Sequence, residues 1–196
     1  KLYNANKFAS MLLDDFTGED ITINLDELSS IDRWVLARCQ MVAQKSNESF
    51  EEYDYQHAKQ LWYDFFMSDV ADNYIEIVKD RLWKKKTNYK SAQKALYHVL
   101  YASLRGLAPF VPFITEDIFQ NFYSAFEQEM SIHRSPYPQA LQEYTSDEMI
   151  GSGNKFVEIV AIVRKYKAEN KLSMKEELSR LTIDEREREF IEDSLE

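Results

Sequence analysis

Apolar residues recur every three or four positions through most of the 196-residue chain, the period of helices with one face against a core. A first periodic segment carries Leu2, Tyr3, Met11, Leu12 and Leu13 and closes near Thr17 and Gly18. The chain starts inside it without an initiator Met, as a piece of something longer would. Ser29 or Ser30 is placed to cap a second helix by accepting a backbone N–H, with Ile31, Trp34, Val35 and Val42 inward. Asp54 is placed to cap a third, long helix. Its stripe of Ala58, Leu61, Trp62, Phe65, Phe66, Val70, Tyr74, Ile77, Val78 and Leu82 needs a multi-helix core to cover it. Lys84, Lys85 and Lys86 suit the negative end of that helix. Asn88 is expected to cap a fourth helix carrying Leu96, Val99, Leu100, Leu104 and Leu107, stopped by Pro109 and Pro112 for want of an amide donor. Thr115 then caps a fifth, with Ile118, Phe119, Phe122, Tyr123 and Phe126 inward. Short connections make neighbours antiparallel, so the pattern predicts an all-α fold, an antiparallel bundle of about five long helices over residues 1–140.

The remainder, 141–196, reads differently. Ser135-Pro136-Tyr137-Pro138 is an extended connector, because proline pushes the residue before it out of helical conformation. Gly151-Ser152-Gly153 reads as a flexible linker, and a sixth helix runs from about Asn154 to Ala168 with Phe156, Ile159, Val160 and Val163 inward. Leu181-Thr182-Ile183 suits one short strand, and the acidic segment after it is helical by propensity. This part is expected to form a C-terminal helix and a small mixed α/β appendage, truncated at the end of the chain.

Composition narrows the classes. Hydrophobic residues at 44% exclude disorder, and only 4 Gly and 4 Pro leave little material for the turns of an all-β fold. The lone Cys39 leaves no internal disulfide, and with no signal peptide or long uncharged apolar run the expected location is the cytoplasm. A net charge of −10 argues against indiscriminate attraction to nucleic acid. The charge is uneven, however. Lys79 to Lys94 holds seven basic residues against Asp80 alone, and the stretch from Glu176 holds nine acids against three arginines. The basic run is either a solvated face or a selective polyanion surface, with Lys84, Lys85, Lys86 and Lys90 as phosphate contacts.

No nucleophile with its base, no metal cluster and no phosphate-cradling loop stands at usable spacing, so no catalytic residue, metal ligand or cofactor site is expected. His57, His98 and His133 are far apart; Asp69 and Asp72 lie close enough for a carboxylate pair doing acid/base work, but read rather as partners for Lys or Arg on neighbouring helices. The first segment offers a different chemistry. Lys1, Asn4 and Phe8 fall on one helix face at i, i+3 and i+7, and Lys7 flanks Phe8. A ring, an amide and two cations are the parts that grip unpaired bases, by stacking, edge hydrogen bonding and phosphate neutralisation. A Phe at the end of an apolar stripe equally fits a core.

Lys1-Leu2-Tyr3-Asn4-Ala5-Asn6-Lys7-Phe8 resembles the segment that opens the anticodon-binding bundle of class I aminoacyl-tRNA synthetases of the valyl type. Further similar stretches follow in the same order: Ile31-Asp32-Arg33-Trp34, Asp72-Asn73-Tyr74-Ile75-Glu76 with Lys79, Pro109 to Glu116, Ser131-Ile132-His133, and Val163-Arg164 leading to Ala168 through Ser173. The isoleucyl and leucyl enzymes share this bundle, but isoleucyl enzymes differ where this chain has Tyr3-Asn4-Ala5. The resemblance implies tRNA as partner, valine-specific, and a catalytic domain upstream in the same chain that uses ATP. It implies contacts to anticodon bases at Lys1, Lys7 and Phe8, with Asn4 and Arg33 beside them, on a monomer. Lys7 stands where an arginine is usual, so a point charge replaces a bidentate fork. A helical scaffold binding a partner helix is the alternative from another class.

Overall fold

The computed structural model describes residues 1–140, 147–174, 176–185 and 188–195, and among these the regular structure is all helical. The chain runs through α1 (Leu2–Leu12), 3-10 turns at Gly18–Ile21 and Leu25–Glu27, α2 (Ser30–Glu51) and α3 (Tyr55–Asp64). A π turn (Phe65–Tyr74) joins α3 to α4 (Ile75–Trp83), and α5 (Tyr89–Leu107) and α6 (Pro112–Phe122) follow. After a 3-10 turn at Ile132–Arg134 come α7 (Asp147–Glu169) and α8 (Arg188–Leu195). The expected boundary between 140 and 141 borders residues 141–146, which lie outside the described residues.

Several starts and stops differ from the sequence reading, each for a local reason. Asp54 caps α3 as expected, its Oδ1 accepting from the His57 amide at 2.9 Å. Ser29 occupies the cap position of α2, but its hydroxyl donates to the Asp32 carboxylate at 2.7 Å instead of serving the backbone. Asn88 precedes α5 in the left-handed region at φ 59° and makes no side-chain cap. α6 begins at Pro112, whose missing N–H costs nothing in a first turn, so Thr115 lies inside the helix and its hydroxyl donates back to the Val111 and Pro112 carbonyls, both at 3.0 Å. Residues 151–153 are helical and not a linker. Gly153 packs under Trp34, where an added Cβ would overlap Cδ1 and Cγ of the indole and come within 2.7 Å of the Trp34 Cβ, and Trp34 Nε1 donates to Asn154 at 3.1 Å. The strand expected at Leu181 to Ile183 does not form, because no second strand exists among the described residues to pair with it.

The core is built from large side chains with almost no exposure: Trp34, Trp62, Phe65, Tyr74, Tyr97 and Phe119. α2 lies centrally against α3, α5 and α7, and α1 packs on α5 and α6. Inside the apolar mass sits one polar cluster. Asp32, wholly buried, receives Arg81 Nη2 and the Tyr74 hydroxyl on Oδ1, both at 2.6 Å, and the Ser29 and Ser91 hydroxyls on Oδ2.

Candidate nucleic-acid interface

The rotation of α1 is set by its inner face. Ala9 and Leu12 are buried, Tyr3 meets Phe122 edge-on at 5.8 Å, and Asn6 is locked between the Leu2 carbonyl, to which its Nδ2 donates at 2.9 Å, and the Tyr123 hydroxyl, from which its Oδ1 accepts at 2.5 Å. The opposite face therefore points to solvent, and it carries Lys1, Asn4, Lys7 and Met11. Phe8 sits at the edge of that face, half-buried, with part of its ring on the core. Four of the five residues picked from the sequence are thus together. Arg33 belongs to α2, where its Nε donates to the Leu28 carbonyl at 2.7 Å and turns the guanidinium toward the preceding loop.

The N-terminal end of α1 meets the π turn. Lys1 Nζ pairs with Asp72, and Arg164 of α7 reaches the same residue, Nη1 donating to the Asp72 carbonyl oxygen at 3.1 Å. Asp69, one turn away, is held by Arg38 of α2 at 2.8 Å; burial pushes its carboxyl upward against that cation. Both acids therefore pair with cations from elsewhere in the bundle, Asp72 with Lys1 just ahead of α1 and Asp69 with Arg38 of α2, which is the preferred reading of the sequence. A π turn widens the helix and re-aims consecutive side chains, which lets one ten-residue segment meet α1, α2 and α7. Arg164 had no signal by spacing, since the contact spans 92 residues.

The basic run is largely neutralised at home. Lys84 and Lys86 both pair with Asp80 at 2.7 Å, Lys85 pairs with Asp14 at 3.1 Å, and Lys90 lies between Asp20 at 3.3 Å and Asp15 at 3.6 Å. Asp15 is held far below the usual carboxylate range, chiefly by the Gln93 amide, with burial opposing and Tyr89, Lys90 and Lys85 assisting. A group depressed in the folded state contributes stability that is complete above its unfolded value, about 4, and fades as pH falls through the folded one. The melting temperature of Asp15→Asn should therefore lie below the parent's at pH 7, and the gap should close as pH drops from about 4 toward 2. Thermal melts across that range check it; a gap independent of pH would mean that the charge on Asp15 contributes nothing.

The remaining chemistry-bearing groups are dispersed. His57 is exposed, His98 Nε2 lies 2.6 Å from the Ile21 carbonyl with its pKa lowered by burial, and His133 Nε2 is 3.2 Å from the Pro112 carbonyl. Burial pushes the Cys39 thiol up to about 12, which makes it inert at neutral pH. Among the described residues no group of three or more His, Cys, Asp or Glu is placed to hold a metal ion, and no helix is long and apolar enough to cross a membrane.

Comparison with known proteins assigns this architecture. A family model described as the anticodon-binding domain of tRNA ligase matches residues 32–183. A valine–tRNA ligase of Ehrlichia canis (strain Jake) is 35% identical over 186 residues, covering 93% of this chain and 23% of that protein. The valine–tRNA ligase of Fervidobacterium nodosum is 37% identical over 164 residues, covering 84% and 18%, and that of Pyrococcus furiosus is 32% identical over 184 residues, covering 93% and 20%. The chain spans about a quarter or less of the length of these relatives. With the family model matching well over half of its residues, this chain belongs to the family of anticodon-binding domains of tRNA ligases.

Proposed function

We propose that the chain recognises the anticodon arm of a tRNA, valine-specific, as the helical domain of a valine–tRNA ligase. The observation that carries this reading is the solvent face of α1, which presents Lys1, Asn4 and Lys7 beside the half-buried ring of Phe8 on a chain of this family. An unpaired base stacks on the open side of the ring, the Asn4 amide reads a base edge, and the two ammonium groups neutralise phosphate. Arg33 is a further contact from the start of α2. Lys84, Lys85, Lys86 and Lys90 are secondary phosphate contacts, reached by exchanging their carboxylate partners. Residues 1–140 form the recognition body, a bundle of about five long helices, and 141–196 the unit after it. Valine activation with ATP falls to a catalytic domain upstream in the same cytoplasmic, monomeric protein; this domain holds no cofactor of its own.

Filter binding of valine, isoleucine and leucine tRNAs, and of valine tRNA with altered anticodon bases, tests the reading. Tight binding confined to the valine anticodon supports it, and equal binding of all of them would sink it. Phe8→Ala should weaken binding by roughly 1–3 kcal/mol, the value of one stacked base. Its stability loss should stay well below the roughly 3–5 kcal/mol of a fully buried Phe. Lys7→Ala should weaken binding without lowering the melting temperature. A large stability loss in the first variant with unaltered affinity in both would assign this ring to the core and place the RNA elsewhere.

A further inference from the structure

Lys1 and Arg164 come from opposite ends of the chain, and both close on Asp72 of the π turn. Lys1 Nζ pairs with the Asp72 carboxylate, and the two side chains remain 44% and 59% exposed. Arg164 Nη1 donates to the Asp72 carbonyl oxygen at 3.1 Å and lies 3.4 Å from Asn73 Oδ1. Both of those acceptors are neutral, so neither cancels the guanidinium charge. Both contacts also use Nη1, and among the described residues Nε and Nη2 of the donor fork remain available to another acceptor.

We propose that Lys1 and Arg164 form a two-residue clamp for one RNA phosphodiester, with Asp72 as the internal competitor that occupies Lys1 until the phosphate arrives; this rests on the reading that α1 faces the tRNA. Carboxylate and phosphate are alternative partners for the same ammonium. A phosphate seated between Lys1 and Arg164 gains two cations against one fixed anion, whereas a polyanion that reaches only Lys1 meets the Asp72 charge with no second cation to offset it. The arrangement rewards a backbone held in one register and turns away loosely placed ones, in keeping with the net charge of −10. The π turn is what makes it possible, because the carbonyl of Asp72 anchors Arg164 while its side chain holds Lys1.

Arg164→Gln separates charge from anchoring, since glutamine keeps an N–H for the Asp72 carbonyl but carries no charge. With a valine tRNA transcript and this chain, the variant should bind at least roughly tenfold more weakly, the value of a lost charge-assisted hydrogen bond. The slope of log affinity against log salt should become shallower by about one. Asp72→Asn should bind more tightly than the parent, most of all to tRNAs with altered anticodons, because the competitor is gone. Unchanged affinity and slope in Arg164→Gln would overturn the clamp and reduce Arg164 to a tie between α7 and the π turn. If that variant also melts lower, Arg164→Lys decides: a restored slope supports the clamp, and a slope that stays shallow overturns it. Failure of the parent chain to bind valine tRNA would instead bring down the functional reading itself, and it shows before any variant is made.

Discussion

Replacing Arg81 by alanine is expected to lower the unfolding free energy by roughly 3–5 kcal/mol, the cost of leaving a buried charge without its partner. Arg81 is 7% exposed at its side chain and Asp32 not at all, so water cannot take over the lost contact. The guanidinium serves both ends of the cluster, Nη2 donating to Asp32 Oδ1 at 2.6 Å and Nη1 to the Ser29 hydroxyl at 2.9 Å, while Ser29 in turn donates to Asp32. Tyr74 depends on the same carboxylate: burial first, and the Asp32 charge second, drive its phenol upward and keep it a donor. The cluster ties the start of α2 to α4, to the end of the π turn and to the first turn of α5. If the loss comes from the stranded charge, the double variant Asp32→Asn with Arg81→Ala should be more stable than Arg81→Ala alone, because the amide oxygen still accepts from the Tyr74 hydroxyl and position 32 no longer carries a charge. Urea unfolding of the parent and both variants decides. A loss below about 1 kcal/mol for Arg81→Ala would put this pair with weak surface ion pairs and overturn the argument.

Much of the fold can be read from the sequence because helical periodicity is a local signal. The inner positions predicted for α2, from Ile31 to Val42, are buried in the structure, and so are those of the long rod of α3, the π turn and α4 apart from the half-buried Leu61 and Ile77. What escapes is set by contacts distant in sequence. Gly151-Ser152-Gly153 has the composition of a linker, yet α7 runs through it because the flat face of Trp34, more than a hundred residues earlier, needs a neighbour without a Cβ at position 153. The lysines from Lys84 to Lys90 look like a basic patch in sequence, but Asp14, Asp15 and Asp20 arrive beside them from the segment after α1. The candidate site divides in the same way. Spacing puts Lys1, Asn4 and Phe8 on one face with Lys7 beside them, and in the structure Lys1, Asn4 and Lys7 are exposed. It does not say that Phe8 straddles core and solvent, nor that Arg33 turns toward its own loop.

Trp62 and Gly106 are predicted to be coupled so strongly that alanine at one reverses the effect of alanine at the other. Trp62 is fully buried, its Nε1 donating to the Tyr137 hydroxyl at 2.8 Å, and that hydroxyl lies 2.6 Å from Ser46 Oγ. The indole is therefore fixed and cannot slide. A Cβ added at Gly106 would fall within 2.5 Å of its Nε1, inside the van der Waals envelope of the ring. Alanine in mid-helix normally gains about 1 kcal/mol over glycine, but here overpacking should exceed that gain, for a net loss of up to roughly 2 kcal/mol. Trp62→Ala should itself cost roughly 3–5 kcal/mol, chiefly through the cavity it leaves, since the Tyr137 hydroxyl keeps Ser46 as a partner. Once the ring is absent, the methyl at position 106 enters empty space, and the propensity gain of about 1 kcal/mol should appear as stabilisation of the double variant over Trp62→Ala alone. Guanidinium unfolding of the four proteins closes the cycle. Strict additivity would show that Trp62 does not dictate the glycine, and that α5 and α3 approach as closely as they do for some other reason.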